Sequence, residues 1–307
     1  MSTFLILLAV AGLVLVIHRV LVAVRSDGYG TNPPPRSHDA WDRLEPGTCP
    51  SGSVRAVRRH ALLSGLHDLL RPRTYFEIGV STGVSMGLSR SRSIGVDPFF
   101  KVVRGLHCDL QLVRETSDEF FASDETLRHF GGVAIDLAFI DGMHLAEYAL
   151  RDFINTERHT HAASVIVLDD MLPRIPVEGV RDRALARSHR AWAGDVYKIL
   201  DALRDLRPDL VCLEIDTQPT GTVVVLLPDS SSTALTAAYD DLVEAYAVPD
   251  PQQVPDEVLR RSRALDPARF LESPIWDELR RLRELPDAEA RPQVAGLLAG
   301  AGLATPR

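Results

Sequence analysis

The stretch TYFEIGVSTGVSMGLSRSRSIGVDP, residues 74–98, joins two short apolar runs through a segment of glycines and small polar residues. An acidic residue, Glu77, lies in the first run, and Asp97 follows the second. Short apolar runs separated by glycines are typical of buried strands that meet a ligand at a tight loop. The stretch therefore predicts a loop built around an adenosine-containing ligand.

The spacing of the glycines indicates which ligand the loop accommodates. Three residues separate Gly79 from Gly83, and three more separate Gly83 from Gly87, whereas a dinucleotide loop has the pattern G-x-G-x-x-G. Glu77 comes just before the first glycine, where a carboxylate would repel a pyrophosphate. S-adenosylmethionine has no phosphate, and it carries an ammonium and a sulfonium. The loop therefore favours S-adenosylmethionine over a nicotinamide dinucleotide.

Apolar runs alternate with amphipathic stretches over much of the chain. The alternation predicts a parallel sheet covered on both faces, and the short connection between the last two runs predicts an antiparallel hairpin. We therefore expect an α/β fold: a doubly wound, seven-stranded, mostly parallel sheet with a C-terminal antiparallel hairpin. The predicted strands are 75–80, 93–97, 109–114, 135–140, 164–168, 210–215 and 222–227, and the predicted helices are 54–70, 85–90, 117–130, 144–157 and 194–206.

This combination of motifs resembles the Rossmann-like fold of class I S-adenosylmethionine-dependent methyltransferases. The resemblance is carried by E-I-G-x-x-x-G, which begins at Glu77, and by V-D at the end of the next predicted strand. It implies that Gly79 and Gly83 let the backbone approach the cofactor. It also implies that Asp97 accepts hydrogen bonds from both ribose hydroxyls, and that Glu77 orients the methionine end through the loop or through water.

Polar residues follow the third predicted strand in the sequence R-E-T-S-D-E-F-F. In the methyltransferase fold this position flanks the adenine, so the resemblance implies that Thr116 and Ser117 hydrogen-bond the edge of the ring. The same residues suit the start of a helix, with Ser117 as the N-cap and Asp118 and Glu119 in the first turn. Both interpretations are compatible with the sequence.

Carboxylates follow two further apolar runs. D-L-A-F-I-D-G-M-H places Asp141 at the end of the fourth predicted strand, and V-I-V-L-D-D places Asp169 and Asp170 at the end of the fifth. Because parallel strands bring their carboxyl ends to one edge of a sheet, the three side chains should converge there. Without a counter-ion they would repel one another. Carboxylate and water oxygens suit Mg²⁺ or Mn²⁺, so these three aspartates are the predicted metal ligands.

F-I-D-G-x-H and V-L-D-D together resemble methyltransferase family 24, and they are similar to the metal-dependent catechol-type and macrolide-sugar O-methyltransferases. The resemblance implies methyl transfer to a hydroxyl of a small molecule or glycan, with Asp141 in the catalytic site. His144 stands where the catechol group has a lysine, and it is the predicted general base. Two alternatives stay open: a cephalosporin-hydroxylase-like enzyme on the same fold, and a non-catalytic, membrane-tethered cofactor-binding protein.

The N-terminal residues 4–24, FLILLAVAGLVLVIHRVLVAV, are long enough as a helix to cross the hydrocarbon core of a bilayer. No basic residue precedes this run and several follow it, which predicts a single-pass cell-membrane anchor with the catalytic domain in the cytoplasm. A cleaved signal or a buried helix is the alternative. The predicted organisation is an anchor over 1–25, a linker over 26–53, a methyltransferase domain over 54–229 and a helical or partly disordered extension over 230–307.

The net charge of −8 argues against nucleic acid as a partner. The expected partners are therefore a small-molecule or glycan acceptor and the membrane, and a homo-oligomer is left open. Residues 171–194 form a long basic segment after the fifth predicted strand. We interpret it as a substrate lid, in which Arg174, His189 and Trp192 grip a polar or anionic group.

Overall fold

Seven strands form one mixed sheet in the computed structural model, which describes residues 57–123, 126–189 and 191–303. The strand order is β3-β2-β1-β4-β5-β7-β6. Strands β1 to β5 pair in parallel, whereas β7 lies antiparallel between β5 and β6. The predicted sheet with its closing antiparallel hairpin is thus confirmed. The strands are β1 (Thr74–Ile78), β2 (Arg92–Val96), β3 (Leu110–Val113), β4 (Ile135–Ile140), β5 (Thr160–Leu168), β6 (Val211–Ile215) and β7 (Thr222–Leu226).

Helices cover both faces of this sheet. Side chains that alternate along each strand enter two separate hydrophobic clusters, as Tyr75 and Phe76 of β1 do. Burial on both faces explains why these strands are continuous apolar runs in the sequence. The helices are α1 (Arg59–Leu70), α2 (Ser117–Phe121), α3 (Ala146–Glu157), α4 (Ile199–Leu206), α5 (Ala234–Ala237), α6 (Tyr239–Tyr246), α7 (Asp256–Leu259), α8 (Pro267–Leu271), α9 (Ile275–Leu282) and α10 (Asp287–Gly300).

The connection from β1 to β2 differs from the prediction. Instead of a helix over 85–90 it contains one 3₁₀ turn, Met86–Leu88. Serine side chains compete for the polar groups of this segment: Ser85 donates to Glu77 at 2.7 Å, and Ser89 lies 2.8 Å from Ser93. Such local side-chain bonds disfavour a continuous helix.

The predicted helix over 117–130 is also shorter than expected. Helix α2 ends at Phe121, and a separate 3₁₀ turn follows at Arg128–Phe130. Leu127 has a φ of 59°, a conformation that an α-helix cannot contain. The described residues between α2 and this 3₁₀ turn, 122–123 and 126–127, are not helical.

Helices from both ends of the described chain cover one face of the sheet. Leu62 and Leu66 of α1 share a cluster with Trp276 and Leu279 of α9 and with Val294 of α10. The connections from β1 to β2 and from β2 to β3 contain no α-helix among the described residues. Helices α1, α8, α9 and α10 thus supply the cover on this face.

The predicted membrane anchor over 1–25 and the predicted linker over 26–53 lie outside the described residues. Across residues 57–123, 126–189 and 191–303, no helix combines the length and the apolar character that a membrane span requires.

Candidate active site

The carboxyl edge of the sheet collects the predicted site residues. Gly79 follows β1, Asp97 follows β2, Asp141 follows β4, and Asp169 and Asp170 follow β5. Since these four strands are parallel, their ends lie at the same edge. The glycine loop and the carboxylates therefore face one region.

His144 joins two of the three aspartates. Its Nε2 lies 3.2 Å from Asp141 Oδ1 and 3.2 Å from Asp170 Oδ2. Thr220, which precedes β7, donates its hydroxyl to the other oxygen of Asp170. Ligand atoms of Asp141, His144 and Asp170 all lie within 4.8 Å of one another, so the three side chains could hold a metal ion together.

Asp169 is turned away from this group and pairs with Arg59, the first residue of α1. Arg59 Nη1 lies 2.9 Å from Asp169 Oδ2, and Nη2 lies 3.9 Å from Asp141 Oδ2. The adjacent Asp170 faces His144 instead, and it has a φ of 59°, an unusual backbone conformation for a residue with a side chain. The sequence predicted Asp169 as a metal ligand, whereas the structure places Arg59 against it.

Buried charges set the protonation of the cluster. Burial lowers the pKa of His144, but the carboxylates of Asp170 and Asp141 outweigh it and raise the pKa to about 9. Burial would raise the pKa of Asp141, but Arg59 and His144 hold it below the ordinary value. Burial raises the pKa of Asp169 well above its usual range, and Arg59 opposes that shift. In this arrangement the two carboxylates favour the imidazolium form of His144. The role of His144 as general base stays a prediction.

The orientation of the His144 ring is fixed from its other side. Nδ1 lies 2.8 Å from the carbonyl oxygen of Trp192, and the two rings stack with centroids 4.8 Å apart. A neutral imidazole that donates through Nδ1 to this carbonyl presents an unprotonated Nε2 to Asp141 and Asp170. Metal-binding histidines are held in the same way, by a hydrogen bond to the nitrogen that does not bind the metal.

These residues fit a divalent metal ion. The donor set is two carboxylates and one imidazole, whose ligand atoms lie within 4.8 Å of one another. A cavity of about 10 Å³, lined by Asp141, His144, Asp152 and Asp169 among others, adjoins the group. That volume suits about one water molecule. Imidazole is a poorer ligand for Mg²⁺ than for transition-metal ions, so the set favours Mn²⁺.

The two predicted cofactor-loop glycines allow close packing within the protein. Gly79 has a φ of 90°, and a Cβ atom there would lie 1.8 Å from the carbonyl oxygen of Asp141. Gly83 has a φ of 80°, and its Cβ atom would lie 3.1 Å from a Val102 methyl. Gly79 thus lets the loop after β1 contact the end of β4, which carries the cluster.

Glu77 is buried beneath the glycine loop. Its two carboxyl oxygens accept hydrogen bonds from Tyr75 at 2.6 Å and from Ser85 at 2.7 Å. The bond to Ser85 fastens the loop to the strand, which agrees with an indirect role of Glu77 through the loop. Burial raises the pKa of Glu77 to about 8, although both hydroxyl donors oppose the shift.

Replacing Glu77 by glutamine should change how stability depends on pH. The folded-state pKa of about 8 exceeds the ordinary value of 4.5, so between these pH values the folded protein holds a proton that the unfolded chain has lost. The free energy of unfolding should therefore fall as the pH rises through this window. In Glu77→Gln the slope should be shallower by up to about 1.4 kcal/mol per pH unit.

Urea unfolding at pH 5, 6, 7 and 8 would measure this slope. Glu244→Gln, at an exposed position of α6, is the matched control and should leave the slope unchanged. Equal slopes for the wild type and Glu77→Gln would contradict the assignment of this proton to Glu77.

Asp97 lies beside the glycine loop, as the cofactor prediction requires. Its carboxylate accepts the backbone N–H of Ser81 at 2.7 Å and that of Phe99 at 2.6 Å. The segment that follows, residues 98–107, is called the β2 loop here. It runs along the glycine loop, since Lys101 N donates to Ser81 O at 2.8 Å and Val103 N donates to Thr82 O at 3.2 Å.

Thr116, rather than Ser117, caps helix α2. The Thr116 hydroxyl accepts the N–H of Glu119, whose carboxylate in turn accepts the N–H of Thr116. Ser117 instead hydrogen-bonds the buried carboxyl of Asp152, whose pKa burial raises to about 7. The prediction that a helix begins here is correct, but the N-cap is Thr116 and not Ser117. The adenine contacts predicted for Thr116 and Ser117 stay a prediction.

Residues 171–194, the β5 loop, are anchored to helix α3 by Arg181, whose Nη2 lies 2.6 Å from Glu147 Oε1. Arg174 pairs with Glu178, and the Trp192 indole donates to Val180 O at 2.7 Å. Arg174 and Trp192, which we predicted to grip a substrate, are thus engaged with the loop itself and with His144. His189 is exposed.

Arg59 is a site residue that sequence analysis missed. It lies 110 positions before Asp169, and no local pattern marks the contact. Replacing it with methionine would leave Asp169 buried without its counter-charge, so the free energy of unfolding should fall by about 3–5 kcal/mol. Chemical denaturation would measure the loss. The double variant Arg59→Met with Asp169→Asn should recover most of it, and a double variant as unstable as the single one would contradict the pairing.

A protein-family model matches the part of the chain that carries this site. Residues 76–171 match the family model described as a methyltransferase domain, from methyltransferase family 24. This segment is a family 24 methyltransferase domain. The matched residues include the glycine loop, Asp97, Asp141 and both aspartates after β5. The resemblance to class I S-adenosylmethionine-dependent methyltransferases is therefore confirmed.

Solved structures of methyltransferases are similar to the domain at low sequence identity. PaMTH1 from Podospora anserina, bound to SAH, is 15% identical with a TM-score of 0.42, covering 70% of this chain and 96% of its own. Cofactor-bound Rv0187 from MTB is 18% identical with a TM-score of 0.41, covering 68% and 96%. The O-methyltransferase TomG from Streptomyces achromogenes, bound to SAM, is 17% identical with a TM-score of 0.39, covering 62% and 86%. No curated protein matches the chain.

Proposed function

We propose that the chain is an S-adenosylmethionine-dependent O-methyltransferase that acts on a hydroxyl of a small molecule or glycan, with a divalent metal held by Asp141, His144 and Asp170. The observation that carries the proposal is the cluster of these side chains at the sheet edge of a methyltransferase domain. His144 replaces Asp169 in the predicted ligand set, because Asp169 is paired with Arg59.

Each residue of the cluster has a distinct role in this proposal. A bound divalent ion would lower the pKa of the acceptor hydroxyl, and bound S-adenosylmethionine would supply the methyl group. Asp141 and Asp170 bring negative charge to the ion, and Trp192 keeps Nε2 of His144 directed at it. Arg59 balances the charge of Asp169 without occupying the three ligand atoms. A glycol-like acceptor, with two neighbouring hydroxyls, would suit such a site best.

Calorimetric titration of the full chain with S-adenosylmethionine, with and without Mn²⁺, would test both parts of the proposal. Binding of S-adenosylmethionine is expected in both conditions. A methyl-release assay against a panel of glycans and catechols should then show turnover that EDTA abolishes. Mn²⁺ should restore this turnover at a lower concentration than Mg²⁺, since one ligand is an imidazole.

The outcomes separate the proposal from its alternatives. Methyl transfer that EDTA does not inhibit would contradict the proposed metal requirement, but it would not contradict the proposed methyltransferase activity. Failure to bind S-adenosylmethionine would overturn the methyltransferase itself. Oxidation of an acceptor in place of methylation would support a hydroxylase-like enzyme on this fold.

A further inference from the structure

Two loops at the carboxyl edge expose large apolar side chains. Phe99 and Val103 of the β2 loop are 58% and 63% exposed. Ile175 and Leu185 of the β5 loop are 39% and 53% exposed. These are four of the seven large hydrophobic residues that are exposed in the described part of the chain. Exposed apolar groups concentrated at one edge mark an interaction surface.

Basic side chains accompany these apolar residues. Lys101 and Arg104 are exposed in the β2 loop, which contains no acidic residue. Arg183 and Arg187 are exposed in the β5 loop. Both loops carry a net positive charge, whereas the chain as a whole carries a net charge of −8. Apolar and basic side chains together are the composition that binds the headgroup region of an anionic bilayer.

The β2 and β5 loops lie on either side of the candidate active site. Strands β1 and β4 separate β2 from β5 in the sheet. The ends of β2 and β5 are thus three strand spacings, about 14 Å, apart, and Gly79 and Asp141 follow the two strands between them. A flat surface that touched both loops would therefore lie across the opening of the site.

The described chain also begins at this edge. Arg59, two residues after the first described position, contacts Asp141 and Asp169. The apolar run over residues 4–24 is the predicted membrane anchor, and the predicted linker over 26–53 connects it to the domain. A chain anchored in this way would meet the surface of a bilayer.

We propose that the β2 and β5 loops dock on an anionic lipid bilayer, so that the active site faces the membrane and takes a membrane-associated acceptor. The choice of acceptor rests on the proposed methyltransferase function, whereas the docking does not. The apolar side chains enter the headgroup region, and the lysine and arginines contact lipid phosphates. The binding partner of this surface is the lipid bilayer itself.

Site-specific fluorescence on the full chain would test the docking. In a background with Cys49 and Cys108 replaced by serine, Val103→Cys is labelled with an environment-sensitive dye and reconstituted into vesicles of phosphatidylcholine and phosphatidylglycerol. Leu206→Cys is the matched control, because Leu206 is exposed at the end of α4, on the opposite edge of the sheet. Bromolipid should quench the dye at residue 103 and leave the dye at residue 206 unquenched. Equal quenching at both positions, or none at residue 103, would overturn the proposal.

Charge reversal distinguishes lipid recognition from simple proximity. Each basic residue near an anionic surface contributes about fivefold to partitioning, so Lys101→Glu with Arg104→Glu should lower the bound-to-unbound ratio of the β2 loop by about 25-fold or more. Vesicles of phosphatidylcholine alone should give weaker quenching of the unmodified loop. If quenching were equally strong in the charge-reversal variant and in vesicles of phosphatidylcholine alone, recognition of anionic lipid would be contradicted. Titration of the same samples with S-adenosylmethionine reports the proposed function separately, so the two failures are distinguishable.

Discussion

Replacing Gly79 with alanine is expected to lower the free energy of unfolding by about 5 kcal/mol or more, a loss that few single substitutions cause. Two effects combine at this position. The φ of 90° strains any residue with a side chain, and the new Cβ atom would lie 1.8 Å from the carbonyl oxygen of Asp141. The three atoms nearest to the new Cβ belong to the backbone of Asp141 and Gly142, so no flexible side chain could move away. Urea denaturation, or the yield of folded protein if the variant fails to accumulate, measures the effect.

Gly132→Ala separates the clash from the strain. Gly132 has a φ of 84°, but no atom lies within 4 Å of the Cβ position. Its substitution should cost only the backbone strain, about 1–3 kcal/mol. Gly296→Ala, in helix α10 and also with open space around it, should stabilise the protein by about 0.5–1 kcal/mol. Losses of similar size at Gly79 and Gly132 would show that the contact with Asp141 does not matter.

Asp141→Asn and Asp170→Asn should each weaken Mn²⁺ binding by about 100-fold or more, beyond the 10–100-fold that supporting hydrogen-bond partners usually contribute. Methyl transfer should fall to the same extent at limiting metal. Both carboxylates lie 3.2 Å from the histidine nitrogen of the ligand group, so each variant removes a charged ligand atom. The concentration of free Mn²⁺, followed by electron paramagnetic resonance, gives the affinity without relying on turnover.

Asp169→Asn is the matched control for these two substitutions. It is an equally buried carboxylate in the neighbouring position, but its partner is Arg59. Its effect on Mn²⁺ affinity should be less than about tenfold, whereas its effect on stability follows from the lost ion pair. If all three aspartates weakened Mn²⁺ binding equally, the ligand set first predicted from the sequence would be correct, and Arg59 would have to leave Asp169 when the ion binds.

The strands were predictable because both faces of the sheet are buried. Runs such as 135–140 and 222–227 are apolar except for Asp136 and Thr222, and their boundaries in the structure differ by no more than one residue. The helices over 85–90 and 117–130 were predicted less well. In the first, serine side chains form local hydrogen bonds, and in the second the positive φ of Leu127 interrupts the helix. Neither effect produces a periodic pattern that could be recognised in the sequence.

Part of the candidate site could be predicted, because some of its residues directly follow predicted strands. Asp141 and Asp170 meet at one edge because β4 and β5 are neighbouring parallel strands. Asp169 pairs with Arg59, so it does not join Asp141 and Asp170 in the ligand group. The contact with Arg59 depends on where α1 packs, and the carbonyl of Trp192 that orients His144 depends on the path of the β5 loop. These are tertiary contacts between distant parts of the chain.

Helices from both ends of the described chain meet over one face of the sheet, where Arg283 donates to the carbonyl oxygen of Leu70 at 2.9 Å. During synthesis, the part of this face that α9 and α10 cover would stay exposed until these helices leave the ribosome. Its apolar side chains would then be exposed to chaperones, or to a nearby bilayer, for most of translation. Completion of the fold is thus timed by the arrival of the C-terminus, long after the glycine loop and the aspartates have been made.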